Sequence, residues 1–419
     1  MDIYDVIVVG GGASGMMAAG RAAQSGCRVV LLEKMDRLGR KLAITGKGRC
    51  NLTNLEGIEA FLAHYGQNGK FLRNCFARFF NQDLIDFLEE NGVATIVERG
   101  RRVFPVGEDA GGIVTCFQTF LQKHGVEIKK AFRADDILVQ SGRIAGVQAN
   151  GIDVVGNTVI VATGGLSYPL TGSTGDGYRF AMDAGHRVRK PEPNLVPLEI
   201  EEDFVTGLRG LALRNVELTA YAGGRRFAQL FGEMLFTHFG ISGPIVLTMS
   251  REIVNMLPRH RVTVSINFKP ALTEEQLEQR LLREFELHGR MYYRSIMKHL
   301  LPLRLVRAFV DISGVPGNKK ACEIDRHERQ RVVQLLHNFR LTVKRARPID
   351  EAIVTAGGVA LDELDPRTMQ SRLVKGLFFC GEVIDIAGDT GGYNLQSAFS
   401  TGFVAGGSAC SMCRKNQSV

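Results

Sequence analysis

The sequence predicts an α/β fold in which one parallel-sheet domain is interrupted by a β-rich insert and a helical insert. Three observations lead there. Residues 5–33, DVIVVGGGASGMMAAGRAAQSGCRVVLLE, read as strand, glycine turn, helix, strand. A second apolar run at 158–161 ends in Ala162-Thr163-Gly164-Gly165, and a third, KGLFFC at 375–380, returns only near the C-terminus. Unbroken apolar, β-branched runs suit strands buried on both faces. Between the second and third runs the pattern changes to alternation and then to helical spacing.

The first stretch carries the most information. Residues 6–9 form the strand, and Gly10-x-Gly12-x-x-Gly15 follows at once. Gly10 permits the tight turn, Gly12 leaves the backbone open to a pyrophosphate, and Gly15 lets helix and strand pack closely. Ala13 and Ser14 complete the turn, and the helix carries Met16, Ala19 and Ala23 at helical spacing. Its free N–H groups and positive dipole end favour phosphate. The strand at 28–32 ends in Glu33, an acid placed to accept hydrogen bonds from a ribose. This is a Rossmann-like dinucleotide-binding unit. A P-loop is excluded: Thr45-Gly46-Lys47 lacks the upstream glycine and the following Ser or Thr.

With 419 residues the chain suits two or three domains, and 45% hydrophobic with 23% charged residues is a globular composition. The apolar N-terminal stretch is broken by glycines and lacks a basic lead, so neither a signal peptide nor a membrane span is expected, and the expected location is cytoplasmic. In that compartment the eight cysteines are expected as reduced, mostly buried thiols. Only Cys410 and Cys413 are closely spaced, and one C-x-x-C makes a poor zinc site, so no metal is expected. The net charge is +8, and residues 280–350 hold 16 Lys and Arg against 7 Asp and Glu. That stretch accounts for the whole excess and offers a face for a polyanion.

In chain order, residues 34–54 form a basic, glycine-punctuated loop too long for a simple connection. It follows the second strand and therefore lies over the ligand-binding edge of the sheet. Lys41, Lys47 and Arg49 suit an anion there, and Asn51 and Thr53 suit ring atoms. The aromatics of 70–90 fall at helical spacing and read as core. Residues 99–106 read as a basic hairpin edge, 110–124 as a helix, and 126–129, 136–139, 143–149 and 153–155 as strands. Residues 166–177 read as a loop before a helix, and 191–197, PEPNLVP, as a linker. Beyond it Val216, Leu218 and Ala220 alternate, as do Val262, Val264, Ile266 and Phe268, the pattern of a small sheet or barrel, with a loop at 232–246. Thr273-x-x-Gln276 and Asp325-x-x-Glu328 are capping boxes that open helices. The expected division is 1–195 (Rossmann-like, first part), 196–271 (β insert), 272–347 (basic helical insert), 348–410 (Rossmann-like, second part) and a tail at 411–419.

Together these motifs resemble the two-dinucleotide-binding-domain flavoproteins. More narrowly, GRKLAITGKGRCNLTN, RRVFPV, VIVATGGLSYPLTGSTGDGY, LFTHFGISGP and GEVIDIAGDTGGYNLQSAFSTG resemble the YhiN/BaiN-type flavoproteins, in order and along nearly the whole chain. The resemblance implies a discontinuous FAD-binding domain. Gly10, Gly12, Ala13, Ser14 and Gly15 would wrap the pyrophosphate and Glu33 the ribose. Lys34, Arg40, Lys41 and Asn51 would line the cofactor, with a backbone adenine contact near Ala134. Gly164, Gly381, Glu382, Asn394, Leu395 and Gln396 would surround the ribityl chain and pyrimidine.

No second GxGxxG occurs, so NAD(P)H is expected as a transient co-substrate at the open flavin face, with hydride passing through flavin N5. Candidate proton donors or carbonyl polarisers are Tyr393, His238, Lys47 and Arg49. The resemblance implies three activities: reduction of a conjugated C=C bond in a steroid-type acid, oxygen-dependent oxidation of a small amino ketone, and reduction of uridine in ribosomal RNA. The first and third share one chemistry, so an NAD(P)H-driven C=C reductase is expected, acting on a small molecule or on RNA through the basic stretch. A non-enzymatic flavin redox sensor is the reading from a different class.

Overall fold

The computed structural model describes residues 3–107 and 109–417, the side chains of Lys47 and 415–417 excepted. The chain divides into two compact units, one built from residues up to Asn194 and from Ala352 onward, the other from Leu195–Glu351.

The first unit is organised on a seven-stranded sheet. Its central strands are β1 (Tyr4–Val9), β2 (Val29–Glu33), β3 (Ile152–Val161) and β4 (Leu377–Phe379); helix α1 (Ala13–Gln24) joins β1 to β2, and α2 (Tyr393–Gln417) follows β4. β1 runs parallel to β2, Val6 opposite Val29, and to β3, Val6 opposite Thr158; β4 runs parallel to β3, Leu377 opposite Val159. Because all four are parallel, their C-terminal ends share one edge. That edge gathers the glycine turn, Glu33, Ala162–Gly165 and Gly381. The apolar runs predicted these strands for the expected reason: Val6, Ile7, Val8, Val30, Leu31, Val159 and Ile160 are all wholly buried.

β3 departs from expectation instructively. The strands expected at 153–155 and after 158 are one strand of ten residues. Its first half pairs antiparallel with Arg143–Ala149, and its second half parallel with β1. The expected helix over 70–90 is broken into a 3-10 turn, Gly66–Leu72, and helices Arg73–Phe76 and Asn81–Glu90, although Cys75, Phe76, Phe79, Leu84 and Leu88 are core as read. The loop at 34–54 contains a short helix, Arg40–Ile44, entered through Gly39 at φ +67°. Half of the expected linker is a strand, Val188–Asn194, which pairs antiparallel with Val354–Val359.

The second unit holds a closed six-stranded barrel, in the order Leu198–Ile200, Gly240–Ser242, Arg225–Phe236, Ala212–Ala222, Val262–Asn267, Phe339–Ala346 and back to the first. The region read as a loop at 232–246 is largely strand, because Met234 and Phe236 turn into the barrel core. Both capping boxes form and open helices Glu274–Leu287 and Arg326–His337. The division at 271/272 is not seen. The strand Phe339–Ala346 closes the barrel, and Leu281, Phe309 and Leu336 share one core with Val264, Ile266 and Phe339.

The expectation of reduced thiols is corrected at one pair. Cys27 and Cys410 form a disulfide across 383 residues, joining the turn after α1 to α2. Cys410 and Cys413 are not each other's partner; the Cys413 thiol donates to the Asp5 carbonyl at 3.1 Å. Cys50, Cys75, Cys116, Cys380 and Cys413 are buried free thiols, as read, and Cys322 is exposed. The expected tail does not stand apart, since α2 continues to Gln417; residues 418 and 419 lie outside the described residues.

Candidate cofactor site

The glycine turn is built tightly except at one point. Gly10 has φ +105°, and a Cβ there would lie 2.6 Å from the Ala162 carbonyl oxygen; at Gly15 it would lie 1.9 Å from the Gly10 oxygen. At Gly12 a Cβ would meet nothing within 4 Å. Gly12 is also the residue that caps α1, and it has no side chain to satisfy the first N–H groups of the helix. Open space in front of free N–H donors and a positive dipole end is a cradle for an anionic group.

Glu33 stands beside that cradle. Its carboxylate accepts from the N–H of Gly11 at 2.7 Å and of Met35 at 2.8 Å. Burial pushes its pKa up, against the lowering effect of those two N–H groups and of Lys34 and Arg40. Gly39 N–H donates to the Gly11 carbonyl at 2.9 Å, which folds the basic segment back onto the turn. Lys34 reaches Asp176 at 2.5 Å and also donates to Thr174. Arg40 pairs with Asp36 at 3.2 Å. Ala134 opens the strand Ala134–Gln140, two residues past Phe132, whose N–H donates to the Glu33 carbonyl at 2.9 Å.

Lys41 and Glu382 meet at 2.6 Å across 341 residues. Lys41 also donates to Ser167 Oγ at 2.6 Å, and Glu382 accepts from Ser167 Oγ at 2.9 Å and Thr355 N–H at 2.8 Å. Burial alone would raise the Glu382 pKa, but the Lys41 ammonium and the two donors outweigh it and hold the carboxyl below its ordinary value. The neighbouring glycines leave no room to spare. A Cβ on Gly381 would lie 2.3 Å from Ser14 Oγ, and one on Gly164 2.6 Å from Ser173 Oγ. Thr355 and Ser167 were not singled out from sequence. Thr355 sits in Thr355-Ala-Gly-Gly358, a near copy of the earlier Ala-Thr-Gly-Gly, and that echo is the signal that was available.

The GDTGGYN segment closes on itself. Asn394 accepts from Gly388 N–H at 2.8 Å and donates to the carbonyls of Gly388 and Asp389, so its amide shapes the loop that precedes α2. Asn51, in the amide orientation its neighbours select, accepts from Gly392 N–H at 3.1 Å and donates to the carbonyls of Thr53 and Val103. Leu395 is half-buried. Gln396 is wholly buried; its amide donates to Ser400 Oγ at 3.0 Å, and its Oε1 meets no donor among the described residues.

Of the expected proton donors, Tyr393 is almost wholly buried. Its hydroxyl donates to Glu56 at 3.1 Å, and its ring stacks on His64 at 3.9 Å. His64 in turn bonds Asp389 through Nδ1 at 2.8 Å and Glu56 through Nε2 at 3.0 Å. Burial depresses the His64 pKa, but the two carboxylates overcome this and raise it. Sequence reasoning missed His64 and Glu56, since neither lies in a recognisable motif. Arg49 pairs with Glu98 at 2.5 Å and covers the Phe104 ring. His238 belongs to the second unit, exposed on the turn between strands Arg225–Phe236 and Gly240–Ser242. The Lys47 side chain lies outside the described residues.

Parallel strands that end in glycine turns, an acid as the last residue of β2 and an uncapped helix facing open space define a Rossmann-like nucleotide-binding protein. Residues 4–408 match the family described as HI0933-like protein Rossmann domain, and the chain belongs to that family of flavin-dependent oxidoreductases. It is 30% identical over 405 residues to the 3-dehydro-bile acid delta(4,6)-reductase of Clostridium scindens, covering 96% of this chain and 98% of that one. It is 32% identical over 410 residues to the ribosomal RNA dihydrouridine synthase of Haemophilus influenzae, covering 95% and 96%. Among solved structures, the 3-ketosteroid delta1-dehydrogenase of Sterolibacterium denitrificans shares the fold, with a TM-score of 0.55, 14% identity and coverage of 98% of this chain and 100% of that one. No described helix is long and apolar enough to cross a membrane.

Proposed function

We propose that this protein is an NAD(P)H-driven, FAD-dependent reductase of an activated C=C bond. One observation carries the reading. Two relatives that match along nearly their whole lengths are named as a delta(4,6)-reductase of a 3-dehydro-bile acid and a dihydrouridine synthase of ribosomal RNA, and both names describe the saturation of a C=C bond. The cradle at Gly12 supports it, because the space there suits a pyrophosphate that Gly10, Ala13, Ser14 and Gly15 would surround. Glu33 would take the ribose hydroxyls, Lys34, Arg40, Lys41 and Asn51 would line the cofactor, and Ala134 would meet adenine. Gly164, Gly381, Glu382, Asn394, Leu395 and Gln396 would lie along the ribityl chain and pyrimidine. FAD, held by these residues, would supply hydride-transfer chemistry between NAD(P)H and the alkene.

The protein must then supply a proton to the other alkene carbon. Tyr393 is the donor this reading favours over His238 and Lys47. Its hydroxyl already lies in a chain with Glu56 and His64, and the Asp389 and Glu56 carboxylates raise the pKa of His64 against its burial. A second substrate reading, uridine in ribosomal RNA, is favoured by the positive excess of residues 280–350.

The test is anaerobic stopped-flow. NADPH should bleach the flavin, and an enone acid or RNA lacking dihydrouridine should restore it. Restoration by RNA selects the second substrate reading. Restoration by oxygen alone, with every alkene inert, overturns the proposal. Tyr393→Phe should slow reoxidation by the alkene and leave bleaching by NADPH unchanged.

A further inference from the structure

We infer that Glu284, His288 and His299 form a binding site for a divalent transition-metal ion of the zinc class, which pins together the two helices spanning residues 274–300. The site belongs to the second unit and rests on none of the flavin chemistry above.

Local structure brings the three side chains together. Thr273 and Gln276 close a reciprocal cap, at 3.3 and 3.0 Å, that sets the start of helix Glu274–Leu287. Leu277, Leu281 and Phe285 take the core face. Glu284 and His288 are four residues apart, hence neighbours on the same side, and both are half-buried beside that face. The chain then turns, with Met291 N–H donating to the His288 carbonyl at 2.8 Å, and helix Tyr293–Leu300 returns with Ile296, Met297 and Leu300 in the core. That return sets His299 opposite the other two. One ligand atom from each side chain lies within 4.8 Å of the others. His299 Nδ1 is 3.1 Å from a Glu284 oxygen, and the two imidazoles stand edge to face at 5.3 Å.

Two imidazoles and one carboxylate are a donor set for zinc and its neighbours, with water in the fourth position. Calcium and magnesium require more oxygen ligands than the group offers. Ligand atoms around a tetrahedral ion stand about 3.3 Å apart for bonds of about 2.0–2.1 Å, so small rotations of exposed or half-buried side chains complete the site. Among the described residues, no other three His, Cys, Asp or Glu side chains bring their ligand atoms as close.

The experiment is calorimetric titration of the full-length, chelator-treated flavoprotein with Zn2+. Wild type should bind one equivalent and melt at a higher temperature with the metal. His288→Ala, His299→Gln and Glu284→Gln should each weaken binding at least about tenfold. X-ray absorption on the loaded protein should show nitrogen and oxygen neighbours at about 2.0–2.1 Å. His299 is exposed, so His299→Gln should keep the flavin spectrum and far-UV dichroism of wild type. Wild-type affinity in that variant, or no saturable Zn2+ binding in the parent, overturns the inference.

Discussion

Gly12 separates a role in folding from a role in binding. A glycine can be required because a Cβ would strike the protein, as at Gly10 and Gly15, or because a Cβ would strike something that arrives later. Gly12 has φ −81° and ψ −172°, which alanine adopts freely, and its Cβ position is open. Gly12→Ala should therefore leave chemical stability within about 0.5 kcal/mol of wild type while weakening FAD retention at least about tenfold. Denaturant unfolding of the apoprotein and flavin titration read the two effects apart. Loss of stability with FAD affinity intact would refute the assignment. His64 makes a prediction in pH. Its folded pKa is raised above the unfolded value of about 6.5, so the ion pairs with Asp389 and Glu56 stabilise the fold fully below that value. Their contribution fades as pH climbs through the folded value. The melting temperature of wild type should fall across that window, and that of His64→Gln should be flatter. This array was not legible in the sequence, because Glu56 and His64 reach Asp389 and Tyr393 only through the fold, across more than 300 residues.

At the scale of elements, the packing of α1 on α2 shows how one helix can hold another's N-terminus in place. A Cβ on Gly402 would lie 2.3 Å from the Ser14 carbonyl oxygen, and one on Gly406 2.2 Å from that of Ala18. Ser14/Ala18 and Gly402/Gly406 are both four-residue steps, so one ridge of small residues seats against another along the crossing. The sequence shows the run of small residues, Ser397, Ala398, Ser400, Thr401, Gly402, Ala405 and Gly406, but not its partner, since nothing local identifies which helix it meets. Gly406→Val should cost on the order of 3 kcal/mol and loosen FAD, because the displaced helix is the one that presents the cradle. Gly407→Ala is the control. A Cβ there meets only Arg21 Nε, at 3.8 Å, so the change should be neutral or slightly stabilising. Equal effects of the two substitutions would contradict the packing argument. Capping boxes and unbroken apolar runs were read correctly because their signals are local. The strand Phe339–Ala346 was absorbed into the helical insert, although Phe339, Leu341 and Val343 alternate into the barrel core. Its pairing with Val262–Asn267 spans a long helical excursion that a sequence pattern does not reveal.

On the scale of the whole molecule, the two chain segments of the first unit meet in a pair of antiparallel strands. Asn194 stands opposite Val354 in the register of Val188–Asn194 with Val354–Val359. The chain therefore leaves and re-enters the first unit at adjacent points, as the two arms of a hairpin do. Every residue assigned to the cofactor, from Gly10 to Gln396, lies in the first unit, whose core forms one cluster separate from that of the second. The Cys27–Cys410 disulfide also lies wholly within it, tying its two chain segments together. Replacing residues 195–351 by Asn-Gly leaves, with Ala352 and Ile353, a four-residue loop between Asn194 and Val354; it should close that hairpin and yield a folded protein that still binds FAD. Size-exclusion chromatography, far-UV dichroism and flavin titration check the three parts of the claim. A folded product that no longer takes up FAD would mean that the second unit supplies part of the cofactor's hold, and the assignment of the whole site to the Rossmann-like unit would fall. An unfolded product would show that the strand pair cannot close without its insert, against the register that Asn194 and Val354 define. The reciprocal fragment, residues 195–351, has a closed barrel and its own apolar core, and should fold alone, with the zinc-class site as an internal reporter of its native helices.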